Sequence, residues 1–264
     1  MNIRTYGIHP FRIAVIHGGP GAPGSVAAIA RNLSEHYGVL EPFQTKTTLD
    51  GQVSELVETL KTYGDPNSPS ILIGHSWGAW LAYLTAVKYP FLVEKLILIG
   101  CPPLEEKYVS RLRETRLDRL SDEENNEFQT LIHQLSSLSS EEKEDKYNRL
   151  SELVTITDDY DVIDDKHEKE DKVKVKSANY ISVWNKAANL RKTGSLIGYA
   201  NQLKCPVVAI HGDYDPHPAE GVKKPLENTI DDFYFYLLEK CGHSPWKERS
   251  AKKQFYKILQ REII

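Results

Sequence analysis

The sequence predicts an α/β fold in which a mainly parallel sheet is flanked by helices and carries a helical insertion. Short apolar runs at residues 12–16, 71–73 and 96–99 have the composition of strands, and segments with apolar residues at helical spacing follow them. Strands that alternate with helices form βαβ units, and buried parallel strands are continuously apolar, as these runs are. From residue 104 to about residue 176 the chain is highly charged and lacks glycine and proline, which predicts helices outside the sheet.

The elements before the insertion follow from local patterns. We expect strands at residues 12–16, 38–42, 71–73 and 95–99. A first helix opens at Gly24 and keeps apolar residues on one face as far as Leu33. A second helix begins at Asp50, which we expect to cap it, and ends at Gly64 because a proline follows closely. A third helix covers residues 79–89.

The insertion is expected to contain two to four amphipathic helices. Its leucines recur at helical intervals, and Ser121 and Ser139 each precede acidic residues, as residues at helix starts do. The acidic stretch at residues 158–171 is predicted to be solvated, because this is the usual state of charge runs. Residues 180–184 then return the chain toward the core.

The remaining elements continue the sheet. We expect a strand at residues 205–210, a helix at 219–226, an aromatic strand at 232–238 and a final helix that extends up to Ile263. The predicted organisation is therefore a core domain of residues 1–103 and 201–264, interrupted by a helical cap insertion of residues 104–200.

Composition excludes several classes of function. The chain has 264 residues, 40% of them hydrophobic, which is enough for one large domain with a sizeable core. A formal net charge of −4 gives no reason to expect nucleic acid or an anionic membrane as a partner. Nine scattered histidines lack the paired spacing of a metal site, and three cysteines lack the spacing of a disulfide framework. Without a signal peptide or membrane span, we expect a cytoplasmic protein that needs no metal or cofactor; its oligomeric state cannot be read from the sequence.

A candidate nucleophile lies between a predicted strand and a predicted helix. Gly74, Ser76 and Gly78 form a Gly-x-Ser-x-Gly turn in this strand–turn–helix context, which is that of a nucleophile elbow. The serine backbone in such a turn is strained, and the flanking positions come too close together to carry a Cβ. Ser76 Oγ would then be exposed at the carboxyl edge of the sheet. Because three small residues recur often by chance, the motif alone is weak evidence.

Two further reactive residues follow later strands, in the chain order Ser76, Asp215, His243. Catalytic groups of open parallel sheets gather at the carboxyl ends of strands. A serine hydroxyl needs a base to take its proton, and a histidine base needs a carboxylate to fix its tautomer and stabilise the imidazolium. Asp213 and Asp215 are both candidates for the acid, and the spacing of Asp215 from Gly212 favours Asp215.

Four motifs in this order resemble those of the α/β-hydrolase superfamily, and the resemblance covers nearly the whole chain. The segment His17-Gly18-Gly19-Pro20-Gly21 is similar to the oxyanion loop of the HGGPG-type, prolyl-iminopeptidase-like branch. The other three motifs are the serine elbow, a Gly-x-x-Asp turn that ends at Asp215, and Gly242-His243. The resemblance implies an α/β-hydrolase fold and an oxyanion hole formed by the backbone N–H groups of Gly19 and Trp77.

The chain departs from this pattern at two places. His75 precedes the serine where the iminopeptidase branch usually has glycine, which weakens the expectation of exopeptidase specificity. The chain also begins close to its first core strand. We therefore expect an N-terminally truncated sheet in which one edge strand is missing or is replaced by residues 2–8.

These observations favour a cofactor-independent serine hydrolase that cleaves an ester, thioester or amide of a small molecule or short peptide. His17, Gly18 and Trp184 are candidate substrate-binding residues, although His17 and His75 are more easily explained as structural hydrogen-bonding groups. One alternative is a prolyl-iminopeptidase-like aminopeptidase, which needs a carboxylate from the cap to bind the free amine. Another is a non-catalytic binding protein of the same fold, because a fold does not guarantee an activity.

Overall fold

The structure, a computed structural model, describes residues 2–135, 140–173, 175 and 180–264. Its strands are β1 (Asn2–Tyr6), β2 (Phe11–Ile16), β3 (Gly38–Phe43), β4 (Ser70–His75), β5 (Val93–Ile99), β6 (Val207–Gly212) and β7 (Phe233–Leu238). They form one seven-stranded sheet in the order β1-β3-β2-β4-β5-β6-β7. The strand β1 pairs antiparallel with β3, and the other neighbours are parallel. This confirms the predicted fold class.

The helices divide into those that cover the sheet and those that follow β5. The first group is α1 (Ala27–Leu33), α2 (Leu49–Tyr63), α3 (Trp77–Lys88), α10 (Glu220–Glu227) and α11 (Lys252–Ile263). The second group lies between β5 and β6 and consists of α4 (Val109–Arg119), α5 (Asp122–Leu135), α6 (Ser140–Asp158), α7 (Glu168–Asp171), α8 (Ile181–Lys192) and α9 (Ser195–Gly198). We call residues 104–200 the insertion. None of the described helices is long and apolar enough to cross a bilayer.

Both faces of the sheet are buried, as continuous apolar strands require. Neighbouring residues on β2 belong to different cores: Ile13 and Val15 pack with α1 and α11, whereas Ala14 and Ile16 pack with α2, α3, α8 and α10. The insertion has a small core of its own, made of Leu120, Phe128, Leu131 and Leu153. The sheet therefore forms a rigid support whose carboxyl edge can hold side chains in fixed positions.

Several local predictions are settled by the structure. Residues 2–6 form the edge strand β1, so this edge is not missing. The capping of α2 was wrongly predicted: Thr48 Oγ1 accepts a hydrogen bond from the Gly51 N–H (3.2 Å), and Asp50 lies in the first turn. At α5 the predicted start is confirmed, because Ser121 and Glu124 bond each other's backbone N–H groups. The predicted start at Ser139 lies outside the described residues.

The acidic stretch of the insertion was predicted to be solvated, and this is wrong for two of its members. The Asp158 carboxylate is buried and receives two hydrogen bonds from Arg116, at 2.9 and 2.6 Å. Asp171 pairs in the same bidentate way with Arg31 of α1, at 2.6 and 2.7 Å. Bidentate guanidinium–carboxylate pairs are geometrically specific, so Asp171 ties the insertion to α1, and Asp158 ties the end of α6 to α4 within the insertion.

Candidate active site

Ser76 occupies a strained turn between β4 and α3. Its backbone angles are φ 53° and ψ −118°, a combination that a non-glycine residue rarely adopts. A Cβ on Gly74 would overlap the backbone of Gly78, and a Cβ on Gly78 would overlap the carbonyl of Ile16. The two glycines therefore provide the room that the sequence analysis assigned to them. The Ser76 N–H donates to the Ile99 carbonyl at the end of β5 (2.9 Å), which holds the turn against the sheet.

The glycine-rich loop after β2 lies directly against this turn. A Cβ on Gly18 would stand 3.2 Å from the Cβ of Ser76, so the loop backbone approaches the serine as closely as packing allows. Gly19 has φ 113°, a conformation that favours glycine. Trp77 is the first residue of α3, and the N–H groups of a first helical turn have no partner within the helix. Backbone donors and the positive end of the helix dipole thus lie beside Ser76.

Asp215 follows β6 and is fully buried. Its Oδ2 accepts a hydrogen bond from His243 Nδ1 (2.7 Å). Its Oδ1 accepts two hydrogen bonds from His217, one from the backbone N–H (2.9 Å) and one from Nδ1 (2.8 Å). Asp213 is exposed and instead accepts from the Cys241 N–H (3.1 Å), as a turn residue does. The geometry therefore distinguishes the two candidate acids in favour of Asp215.

His243 lies in the loop after β7 and is held on several sides. Its backbone N–H donates to the Asp158 carbonyl (2.8 Å), and its own carbonyl is 3.0 Å from His75 Nε2. Its ring stacks on that of His217, with centroids 4.6 Å apart. Gly100, at the end of β5, leaves space for it, because a Cβ there would lie 2.9 Å from His243 Nδ1. The imidazole orientation is therefore set by core and insertion together.

The electrostatics assign the protons of this group. Burial lowers the pKa of His243, but attraction to the Asp215 carboxylate and their hydrogen bond outweigh burial, so the pKa is raised overall. Burial raises the pKa of Asp215, and the neighbouring histidines more than reverse this, so the carboxyl is ionised at neutral pH. Burial lowers the pKa of His217 to about 4. Because a carboxylate can only accept, both histidines carry their neutral-state proton on Nδ1.

The structure brings acid and base into contact but does not join the base to the serine. The hydrogen bonds of the described residues include none between Ser76 Oγ and His243. The residue before the serine does contact the base candidate, since the rings of His75 and His243 have centroids 4.7 Å apart. Catalytic hydrogen bonds are often long or poorly aligned before a substrate is bound and tighten only in the complex.

The predicted substrate-binding residues have different surroundings. His17 is fully buried: Nδ1 lies 2.8 Å from the Gly18 carbonyl, and Nε2 lies 3.5 Å from the Gln44 N–H. This arrangement favours the structural role that the sequence analysis left open for it. Trp184, on α8, stacks on Trp80 with centroids 5.4 Å apart and meets Trp77 edge-on. It therefore lies over the first turn of the helix that follows the serine.

Three contributors to the site escaped sequence reasoning. His217 follows Asp215 by two residues, and this spacing is a local signal that could have identified it, since Asx residues often bond the backbone two residues on. Asp158 and Glu248 gave no such signal. Glu248 is buried and accepts from the N–H groups of Tyr160, Asp161 and Gly242, at 2.7–2.9 Å. These contacts join segments that are far apart along the chain.

The buried thiols near the site are not candidate nucleophiles. Burial raises the pKa of both Cys101 and Cys241, and the negative charge of the nearby Asp215 raises it further. A thiol in such surroundings remains protonated at neutral pH and is inert. This leaves Ser76 as the nucleophile candidate of the site.

Comparison with proteins of known structure relates the whole fold to others. VinJ superimposes with a TM-score of 0.72 at 16% identity, covering 98% of this chain and 93% of VinJ. The proline iminopeptidase of Mycobacterium smegmatis gives a TM-score of 0.65 at 15% identity, with 98% and 93% covered. A meta-cleavage product hydrolase from Pseudomonas fluorescens IP01 gives 0.60 at 16% identity, with 98% and 92% covered. At these identities the likeness shows a shared fold alone.

Sequence comparison gives short and long matches. Segments of 59 and 54 residues are 39% and 41% identical to epoxide hydrolase 4 of Mus musculus and Homo sapiens. They cover 22% and 20% of this chain but only 16% and 14% of those relatives. The model of the alpha/beta hydrolase family, in contrast, matches residues 15–253, from β2 to the last helix. With the elbow, the parallel sheet and the acid–base pair at its edge, this match shows that the chain belongs to the alpha/beta hydrolase family.

Proposed function

We propose that the protein is a serine hydrolase that cleaves an ester, thioester or amide bond through an acyl-enzyme. The observation that carries this proposal is the buried Asp215–His243 hydrogen bond beside a serine with strained backbone angles. Buried ionised carboxylates are costly unless paired, and strain of this kind is found where function requires it. Membership of the alpha/beta hydrolase family supports hydrolysis as the reaction class.

In this proposal Ser76 Oγ attacks the substrate carbonyl while His243 Nε2 takes its proton. The imidazolium formed is stabilised by Asp215, and Nε2–H then protonates the leaving group. A water repeats the sequence on the acyl-enzyme. The raised pKa of His243 suits a group that must gain and return a proton in each cycle.

The proposed oxyanion hole consists of the backbone N–H groups of Gly19 and Trp77. The closeness of Gly18 to Ser76 supports this assignment, since it brings the loop donors to the reacting carbonyl. Each such donor contributes about 3–4 kcal/mol to transition-state stabilisation in comparable enzymes. The dipole of α3 favours the same negative charge.

We further propose that the insertion serves as a cap that selects the acyl group. Trp184 is half-buried and stacks on the fully buried Trp80, so its remaining exposed area gives an apolar surface beside the first turn of α3. Such a surface suits a small or medium acyl chain, because aromatic rings bury large areas at low entropic cost. The partner of the protein would then be a small molecule or short peptide rather than a macromolecule.

A fluorophosphonate probe tests the nucleophile. The wild-type protein should be labelled and should hydrolyse short-chain esters, whereas Ser76→Ala should be neither labelled nor active, since only an activated serine reacts with the probe. Ser54→Ala, at an exposed position of α2, is the matched control and should be labelled like wild type. Equal labelling of Ser76→Ala would exclude this mechanism, and no labelling of wild type would favour a non-catalytic binding protein.

A second candidate, an aminopeptidase, is favoured by one carboxylate of the insertion. Asp159 is partly buried, and among the described residues its side chain has no hydrogen bond or ion pair. Burial raises its pKa to about 6, and it lies in the electrostatic range of Lys247 and His243. A partly buried carboxylate without an ion-pair partner among the described residues can bind the free amine of an N-terminal residue.

Substrates with and without an amine decide between the two candidates. If the aminopeptidase reading holds, Asp159→Asn should raise KM for alanyl or prolyl amides at least tenfold and leave acetyl esters unaffected, because only the former carry the cation. Asp164→Asn, an exposed residue nearby in sequence, is the control. If the wild-type protein cleaves esters but no amino-acyl amide, the aminopeptidase proposal is contradicted and the esterase proposal stands.

A further inference from the structure

We propose that Asp158, His217 and His243 form a binding site for Zn²⁺, and that zinc occupies it at the expense of hydrolysis. One ligand atom from each of the three side chains lies within 4.8 Å of the other two. Two of the residues are fully buried and the third is nearly so. The inhibitory consequence rests on the proposed function, because His243 is its base, whereas the binding of metal does not.

The two imidazoles are oriented as metal ligands are. Both donate Nδ1–H to the same carboxylate, Asp215, at 2.7 and 2.8 Å. Their Nε2 atoms are therefore unprotonated and carry a lone pair. The rings stack with an interplanar angle of 25°, and both place Nδ1 against Asp215, so each Nε2 faces away from that carboxylate. Histidines that bind metals almost always donate their other N–H to a carboxylate or carbonyl in this way.

Asp158 provides the third ligand. Arg116 holds its carboxylate through Nε and Nη2, and this pairing outweighs burial and lowers the pKa of the carboxyl. A carboxylate offers about four lone pairs on its two oxygens, so the two Arg116 bonds and the Thr157 hydroxyl bond leave one for a cation. The Asp158 carboxylate contributes one negative charge, which the Arg116 guanidinium offsets, and the ionised Asp215 behind the two imidazoles supplies a second that attracts a dication.

The donor set and its spacing point to zinc. Two imidazole nitrogens and one carboxylate oxygen, with a fourth position for water, form a common zinc environment. At bond lengths of about 2.0–2.1 Å, tetrahedral ligands are roughly 3.4 Å apart. The ligand atoms, which lie within 4.8 Å of one another, must therefore approach each other by up to about 1.4 Å to bind one ion. Bound zinc would take the Nε2 lone pair of His243 that the proton transfer needs.

Competition with a chromophoric zinc chelator tests the binding step on the full-length protein. Wild type should take up one Zn²⁺ per chain, and His217→Asn should bind it at least tenfold more weakly. Asparagine can still donate to Asp215 from the position of Nδ1, but it has no Nε2. His36→Ala removes an exposed histidine outside the cluster and should bind like wild type. Equal affinity of wild type and His217→Asn, or no stoichiometric binding, would overturn the proposal.

Probe labelling measured in parallel separates this inference from the proposed function. Stoichiometric zinc should slow fluorophosphonate labelling of Ser76 in wild type, and in His217→Asn the same slowing should need at least tenfold more zinc. Asp158→Asn provides a second variant, and it should weaken zinc binding as His217→Asn does. If wild type binds zinc but is never labelled, the site stands and the hydrolase proposal falls. If labelling is normal and unaffected by bound zinc, the inhibitory role is overturned.

Discussion

At the scale of single residues, Gly100 shows how a position without a side chain determines chemistry. It has φ 51°, and a Cβ there would lie 2.9 Å from both Nδ1 and the carbonyl oxygen of His243. We predict that Gly100→Ala lowers kcat at least a hundredfold, because displacing a base by about 1 Å has effects of this size. Gly198→Ala is the control: its Cβ would meet nothing within 4 Å, so activity should be unchanged. A fully active Gly100→Ala would show that the base does not depend on this contact.

Single residues were predicted from the sequence where a local motif marked them. Ser76, Asp215 and His243 each follow a strand, and the flanking glycines made them recognisable. The role of Gly100 depends on a loop 143 residues later in the chain, and no local pattern records such a contact. Asp158 was misjudged for the same reason, since its partner Arg116 is 42 residues away.

At the scale of elements, Glu248 joins the end of α6 to the loop that carries His243. Its buried carboxylate accepts hydrogen bonds from three N–H groups, two in the insertion and one at Gly242. Glu248→Ala would leave the buried Gly242 N–H without a partner, at a cost of about 1–3 kcal/mol, and would remove the acceptor of two part-buried N–H groups. We predict a loss of at least about 1 kcal/mol in the free energy of unfolding and a lower kcat. Denaturant titration measures the first, with the exposed Glu239→Ala as control; an unchanged midpoint would contradict it.

Strands and helices were predicted well because burial imposes a period on the sequence. The buried runs of β4 and β5 could not be mistaken, and the helix starting at Ser121 had both partners of its capping box. The start of α2 was placed two residues late, since Thr48 and Asp50 are both good caps and only the geometry decides between them.

At the scale of the whole molecule, a buried carboxylate couples stability to pH. Glu41 lies on β3, where Tyr6 of β1 donates to it (2.7 Å) and Arg4 binds the insertion at the Asp171 carbonyl. Burial raises its pKa from 4.5 to about 7. Between pH 4.5 and about 7, the Glu41 carboxyl is therefore protonated in the folded state and ionised in the unfolded state. The proton stabilises the folded state at low pH, and this stabilisation is lost as the pH rises through about 7.

The neutral variant Glu41→Gln should remove this dependence. We predict that it is more stable than wild type by roughly 1–3 kcal/mol at pH 8 and nearly equal to it at pH 4.5. Chemical denaturation at both values measures the difference, and the exposed Glu35→Gln should show none. A variant destabilised equally at both pH values would indicate that Glu41 acts through its packing and not through its charge.

The fold as a whole was predictable because the central strands β2, β4, β5 and β6 carry the composition of a buried parallel sheet, whereas the attachment of the insertion was not. Part of the attachment is apolar, through Val183 and Ala187 of α8. The rest passes through isolated charged side chains, such as Asp171 with Arg31, and charge alone does not reveal which residues will pair. The sequence therefore predicted the positions of the candidate site residues but not the contacts that hold the insertion beside them.

The hydrogen bonds of Asp158 and Glu248 couple the end of α6 to the loop that carries His243. The Asp158 carbonyl accepts from the His243 N–H, and the Glu248 carboxylate accepts from the N–H groups of Tyr160, Asp161 and Gly242. A substitution that loosens the end of α6 would therefore also disturb the position of the His243 imidazole, although it touches neither member of the Asp215–His243 pair.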